Sequence, residues 1–155
     1  RPSNIVLTGV TMPRSGALLS LSRDHHTALV LARAARKAVE NADPTACEQV
    51  LAKIEEHWRL VMASHFAQEE QLLEAMKHQL ALETIERILN DHAALRSLIV
   101  ESGAREPLAR LQQLGDLLAS HVRFEERVLF PQLQPILDAK IDNVEPLEQR
   151  GENGC

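Results

Sequence analysis

The sequence contains no tyrosine, one tryptophan and three phenylalanines in 155 residues. A core must therefore be filled by Leu, Ile, Val and Ala, a mixture that helical bundles use well, and no tyrosyl radical can form on this chain. Cysteine is equally scarce. Cys47 and Cys155 have no CxxC spacing and the second ends a polar tail, so no structural disulfide is expected and the usage fits a reducing cytoplasm. No apolar run approaches the ~20 residues needed to span a membrane. The patch from Ile5 to Leu7 is also too short for a signal h-region. Basic charge is in deficit, with 17 Lys and Arg against 22 Asp and Glu and a net charge of −5. A phosphate-binding domain usually presents a clustered basic face. Here Arg33, Arg36 and Lys37 form only a small run, soon followed by Glu40 and Asp43, which reads as a solvated helix face. Neither a nucleic-acid nor a membrane partner is expected.

What the sequence does contain is helical periodicity. With 45% hydrophobic and 25% charged residues the composition is globular, and the length suits one domain with a sizeable core. Apolar residues recur at helical spacing in four segments separated by breakers. The first runs from Leu18 to Glu40, the second from Pro44 and Thr45 to Lys77 or His78. The third runs from Ala81 to Val100 and ends at Ser102-Gly103; the fourth runs from Pro107 to Phe130 and stops at Pro131. Proline at the first turn suits a helix start. The expected inner stripes are Leu18, Leu21, Ala28, Leu29, Ala32 and Ala35; Leu51, Ile54, Trp58, Val61, Leu72 and Met76; Ile85, Leu89, Leu95 and Ile99; and Leu111, Leu114, Leu118 and Val128. Short connections make sequential helices antiparallel neighbours. The expected fold is all-α, an up-down-up-down four-helix bundle over 18–131, with an N-terminal loop over 1–17. A C-terminal extension over 132–155 would hold a short helical turn and a loose tail.

Polar residues interrupt those stripes at matching levels. His25 falls between Leu21 and Leu29, His65 and Glu69 between Val61 and Leu72, His92 between Leu89 and Leu95, and His121 and Glu125 between Leu118 and Val128. A buried carboxylate costs several kcal/mol unless it is paired or bound to metal. Two carboxylates among four imidazoles, with no Lys or Arg on the inner stripes, would make a poor apolar core. A metal pair resolves the problem: two ferrous ions bring +4 against −2 from the glutamates, and a bridging hydroxide or oxide can lower the remainder. Imidazole and carboxylate together suit iron. Residues i and i+4 share a helical face, so His65/Glu69 and His121/Glu125 can each present a nitrogen and an oxygen to one centre. The pattern also repeats. Asp24-His25 with His65-Phe-Ala-Gln-Glu69-Glu70 matches Asp91-His92 with His121-Val-Arg-Phe-Glu125-Glu126, which implies a pseudo-two-fold arrangement of two half-sites.

At these residues the chain resembles the hemerythrin-like, or HHE cation-binding, family over about Leu18 to Pro131. The ordered set His, HxxxE, His, HxxxE carries the likeness; a single HxxxE is weak. The resemblance implies a non-haem di-iron centre with His25, His65, His92 and His121 as terminal ligands and Glu69 and Glu125 as bridging carboxylates. Oxygen-carrying hemerythrins use an HxxxH pair on the third helix, whereas Arg96 stands four residues after His92 here. They also place an aspartate five residues after the last histidine, where this chain has Glu125 four after His121. These departures point toward relatives linked to oxygen, nitric oxide or iron sensing and to repair of damaged iron centres. The expected function is to bind or sense a small ligand, namely dioxygen, peroxide or nitric oxide. The alternatives are a di-iron peroxidase, oxidase or nitric-oxide reductase, or an iron donor.

Neighbouring groups are read as follows. A lone histidine on a helical stripe is more often a hydrogen-bonded core residue; the joint pattern argues for ligation. His26 shares a stripe with Ser22, Arg33 and Lys37, so it is expected at the rim or in solvent. His57 and His78 are read as surface residues. Asp24 and Asp91 either orient ligand imidazoles or are exposed, and Glu70 and Glu126 are either surface groups or outer partners of the centre. Trp58 and Met62 line the core or a cavity, and Cys47 lies too far along its helix to ligate.

Overall fold

The computed structural model describes residues 16–100 and 106–140, and among these every regular element is helical. Helix α1 spans Gly16–Glu40. Helix α2 consists of Pro44–His57, a π-helical turn Trp58–Met62 and Ala63–Ala75, and a 3₁₀ turn Lys77–Gln79 follows. Helix α3 spans Leu82–Val100. Helix α4 begins at Pro107–Phe124, passes through a second π turn, Glu125–Leu129, and continues helical over 130–140. Helix α1 packs on α2 and α4, and α3 packs on α4 and α2. No described helix is long and apolar enough to cross a membrane. The segment around Ser102-Gly103 and the tail from 141 lie outside the described residues.

The ends form where the side chains supply what the backbone lacks. The first amides of a helix have no internal partners. Asp43 accepts from the Ala46 amide ahead of Pro44, and Glu106 accepts from Leu108 and Ala109 ahead of Pro107; each proline occupies a first-turn position where a missing N–H costs nothing. At the other end of α3, the buried Arg110 donates to the carbonyls of Leu98 (2.7 Å) and Ile99 (2.6 Å), satisfying two groups that the helix leaves open.

Four sequence expectations shift, each by helix geometry. The fourth helix does not stop at Pro131 but runs to 140. Proline inside a helix collides with the carbonyl four residues back, and the widened turn Glu125–Leu129 lies where that clash would fall. The inner stripe of α2 passes from Ile54 to Met62, Phe66 and Leu73, not to Val61 and Leu72, which are only partly buried. His65, Glu69 and Met76 are buried where the period places them, and Leu73, four residues after Glu69, shares their face where Leu72 does not. In α4 the π turn Glu125–Leu129 adds a residue to one turn and buries Leu129 in place of Val128. In α3, Leu89 is 43% exposed and Ile88 takes its place at 0%, because the stripe through Thr84, His92 and Leu95 passes through position 88.

The buried apolar side chains form two clusters. One contains Ala28, Ala32, Met62, Phe66, Leu95, Leu118 and Val122. The other contains Leu18, Leu21, Leu73, Ile88, Leu129, Phe130 and Leu133. Along the four helices His25, Glu69, His92 and Glu125 stand between the members of the first and those of the second, with His65 and His121 one turn before the two glutamates. Helices α1 and α4 approach closely at Gly115, where a Cβ would lie 3.1 Å from that of Ala35. Gly115→Leu should therefore wedge the two helices apart and cost about 1–3 kcal/mol in chemical denaturation. Gly115→Ala should cost much less, because the ~1 kcal/mol gain in helix propensity over glycine offsets the tight contact.

Candidate metal centre

His25, His65, Glu69, His92, His121 and Glu125 meet in the layer between the two apolar clusters, and none is more than 1% exposed. Each is the residue at which its helix's inward stripe crosses that layer, so helix periodicity alone delivers all six to one place. The two oxygens of each glutamate are divided between two histidine pairs. Glu69 Oε2 lies 2.9 Å from His65 Nε2 and 3.6 Å from His25 Nε2, while its Oε1 lies 3.0 Å from His92 Nε2. Glu125 Oε1 lies 2.8 Å from His25 Nε2, while its Oε2 lies 3.2 Å from His121 Nε2 and 3.7 Å from His92 Nε2. Two sets of potential ligand atoms result: one from His25, His65, Glu69 and Glu125, the other from Glu69, His92, His121 and Glu125. Within each set all atoms lie within 4.8 Å of one another.

A ring of carboxylates surrounds this centre. His65 donates its Nδ1–H to Asp24 (2.9 Å) and His121 to Asp91 (3.0 Å), each within its own half of the repeat. His25 pairs through Nδ1 with Glu126 (2.6 Å) and His92 with Glu70 (2.7 Å), each across to the other half. The second glutamate of each Glu-Glu pair thus serves the histidine of the opposite half, as a two-fold arrangement requires. Such a bond fixes the ring orientation and leaves the Nε2 lone pair pointing inward. The carboxylates are themselves held, Glu126 by the Ser22 hydroxyl (2.8 Å), Glu70 by Arg96 (2.8 Å) and Asp91 by Arg87 (3.4 Å). Arg96, which cannot ligate, therefore braces a partner of His92. Two phenylalanines stack on imidazoles: Phe66 on His92 (centroids 3.8 Å apart, 2° between planes) and Phe130 on His25 (5.2 Å, 15°).

These inward atoms are nearly all acceptors. With every Nδ1–H donated outward, the four Nε2 atoms and four carboxylate oxygens face one another without a donor among them. Nε2 of His25 and of His65 lie 3.2 Å apart, a spacing that admits at most one proton between them. His121 Nε2 and both oxygens of Glu125 are buried with no hydrogen-bond partner. Buried groups of this kind are normally satisfied, and cations between them would satisfy these. The donor set, nitrogen and oxygen with no sulfur, fits a divalent ion such as iron, manganese or zinc.

Protons are the competing cations. Burial opposes charge on His25, but Glu125, Glu126 and Glu69 outweigh it and hold the imidazole's pKa up at about 11. Burial likewise opposes charge on His92, and Glu125, Glu69 and Glu70 raise it to about 9. His121 is raised against its burial by Asp91 and Glu125. Burial would lift Glu125, yet the histidines around it, His121 first, hold it well below the usual carboxylate range. Glu70 and Asp91 are lowered too, despite partial burial, Glu70 by Arg96 and His92 and Asp91 by His121 and Arg87.

Around the centre, His26 and His78 are exposed, as expected. His57 is not a surface residue: it is partly buried and its Nε2 has no partner. Asp24, Asp91, Glu70 and Glu126 are resolved in favour of orientation. The stacking of Phe66 and Phe130 was not legible in the stripe pattern. Cys47 is buried in the apolar cluster that includes Ala38 and Ala35.

The family model described as hemerythrin HHE cation binding domain matches residues 18–133. No curated protein and no solved structure matches the chain.

A proton and a metal ion compete for the same nitrogen, so pH separates the two states. His25 and His92 have folded-state pKa values above the ordinary 6.5. In chelator-treated protein their contribution to stability is therefore full below about 6.5 and is lost as pH rises through about 9 and about 11. The melting temperature of metal-free protein should fall over that range, and the gap between metal-loaded and metal-free protein should widen. A gap that narrows with pH would contradict this account of the centre.

Proposed function

We propose that this chain, which belongs to the hemerythrin HHE cation-binding family, holds two iron ions between its helices and uses them to bind or sense dioxygen, peroxide or nitric oxide. One observation carries the reading. Glu69 and Glu125 each turn one oxygen toward His25 and His65 and the other toward His92 and His121, the disposition that suits a carboxylate shared by two ions. His25 and His65 would hold one ion and His92 and His121 the other, with both glutamates common to the two. The short links at 41–43 and 76–81 favour antiparallel neighbours, so we take the four helices to run up-down-up-down around this layer. The protein would act in the cytoplasm.

When bound, iron supplies redox chemistry and coordination positions that six protein groups do not fill. The chain's own residues do the rest. The outer carboxylates keep the imidazoles oriented and basic. The apolar clusters on both sides exclude water, which strengthens every charge interaction inside. An apolar cavity adjoins the centre, lined by Leu31, Ile54, Trp58, Met62 and Leu118 and by Phe66, the ring stacked on His92. His57 is the polar residue in its wall, and burial lowers its pKa, which favours the neutral ring. At about 10 Å³ the cavity has room for about one water-sized molecule, and its apolar wall suits a diatomic gas better than a polar or charged ligand.

Metal analysis with absorption spectra of the reduced protein before and after air exposure tests this reading. About two irons per chain and a spectral change on exposure are expected. Glu69→Ala and Glu125→Ala should each lower iron content severely; full retention in both would sink the shared-carboxylate assignment. His25→Ala should lose iron while His26→Ala keeps it. Sustained turnover of peroxide or nitric oxide, in place of a stable adduct, would make the protein an enzyme.

A further inference from the structure

Outside the metal centre, one cluster gathers charge of a sign the chain has least of. An open cavity of about 380 Å³ between α3 and α4 is lined by Arg87, Ser120, Arg123, Phe124, Arg127 and Val128. Three arginines thus line one concavity, and its lining includes no carboxylate. The chain as a whole carries five more acidic than basic residues, so a random surface patch would hold the opposite balance.

Local geometry prepares the site. Ser120, Arg123 and Arg127 lie on successive turns of α4, and Arg87 reaches over from α3. The Arg87 guanidinium lies 4.3 Å from the centre of the Phe124 ring, with NH2 donating to Ser120 Oγ (3.2 Å) and Nε toward Asp91 (3.4 Å). It is held in place before any ligand arrives, which reduces the ordering cost of binding. Asp91, the nearest carboxylate, is occupied by His121. Among the described residues no carboxylate engages Arg123 or Arg127.

We propose that this cavity is a binding site for a phosphate group, either inorganic phosphate or the terminal phosphate of a nucleotide. A carboxylate, with one charge and two oxygens, is satisfied by a single arginine fork. A phosphate brings nearly two charges and at least three acceptor oxygens, which matches three guanidiniums and a hydroxyl. The site is independent of which metal the centre holds.

Titration calorimetry on the purified full chain, at low ionic strength and in a non-anionic buffer, tests it with inorganic phosphate, adenosine diphosphate and acetate. Saturable binding of one phosphate per chain is expected, at least ten-fold tighter than acetate. Arg123→Gln/Arg127→Gln should weaken it ten-fold or more, with unchanged helicity and melting temperature, while the distant Arg59→Gln should leave it intact. Tighter binding of the diphosphate than of inorganic phosphate would assign the nucleotide source, and the reverse order the free ion. Absence of saturable heat with both phosphate ligands, or unchanged affinity in the double variant, would overturn the proposal.

Discussion

Six acceptor-bearing side chains buried without a donor among them set the terms for the rest of this structure. A carboxylate or an unprotonated imidazole nitrogen inside a protein costs several kcal/mol when it has nothing to satisfy it. Here eight such atoms face one another across a few ångströms. Positive charge must enter, as protons or as metal ions, and the surroundings favour it. The outer carboxylates Asp24, Glu70, Asp91 and Glu126 take each Nδ1–H and turn each Nε2 inward. The apolar core is consequently not continuous. It is split into two clusters, with the polar layer buried between them.

The helices accommodate that layer through their irregularities. Both π turns adjoin it: Trp58–Met62 runs up to the turn that carries His65, and Glu125–Leu129 begins at a glutamate of the centre itself. An extra residue in a turn rotates the rest of the helix, and in α4 this rotation puts Leu129, not Val128, beneath the polar layer. The two turns do not occupy equivalent places in the repeat, so the two-fold relation holds for the side chains of the centre more closely than for the backbone that carries them. Phe66 and Phe130 follow the same rule. They stack on the equivalent imidazoles His92 and His25 from non-equivalent positions in the sequence.

The number of helices, their starts at Pro44 and Pro107, and the six residues of the central layer all follow from one-dimensional features: a 3.6-residue period, breakers, and polar residues that interrupt an apolar stripe at matching levels. His25 could be told from His26 because a 100° step separates neighbours on a helix and Leu21 marks the inward side. The period could not reveal a change in itself. A π turn leaves no mark in composition, so Val61 was expected inside in place of Met62 and Val128 in place of Leu129, and Pro131 was expected to end a helix that continues. Leu89 and Ile88 are both apolar, and only packing against α2 and α4 decides which of them is inside.

Contacts between segments far apart in sequence belong to the tertiary structure alone. His25 reaches Glu126 across 101 positions, and Arg87 joins Arg123 and Arg127 from another helix; in the linear sequence those arginines are scattered among acidic residues and form no basic run. Sequence by itself determined that this chain must bury a ring of histidines and glutamates at the level where four helices meet, because helical periodicity is a local property. Which carboxylate steadies which imidazole, and where positive charge gathers outside the centre, depended on the distance between helices, which is set only when side chains pack.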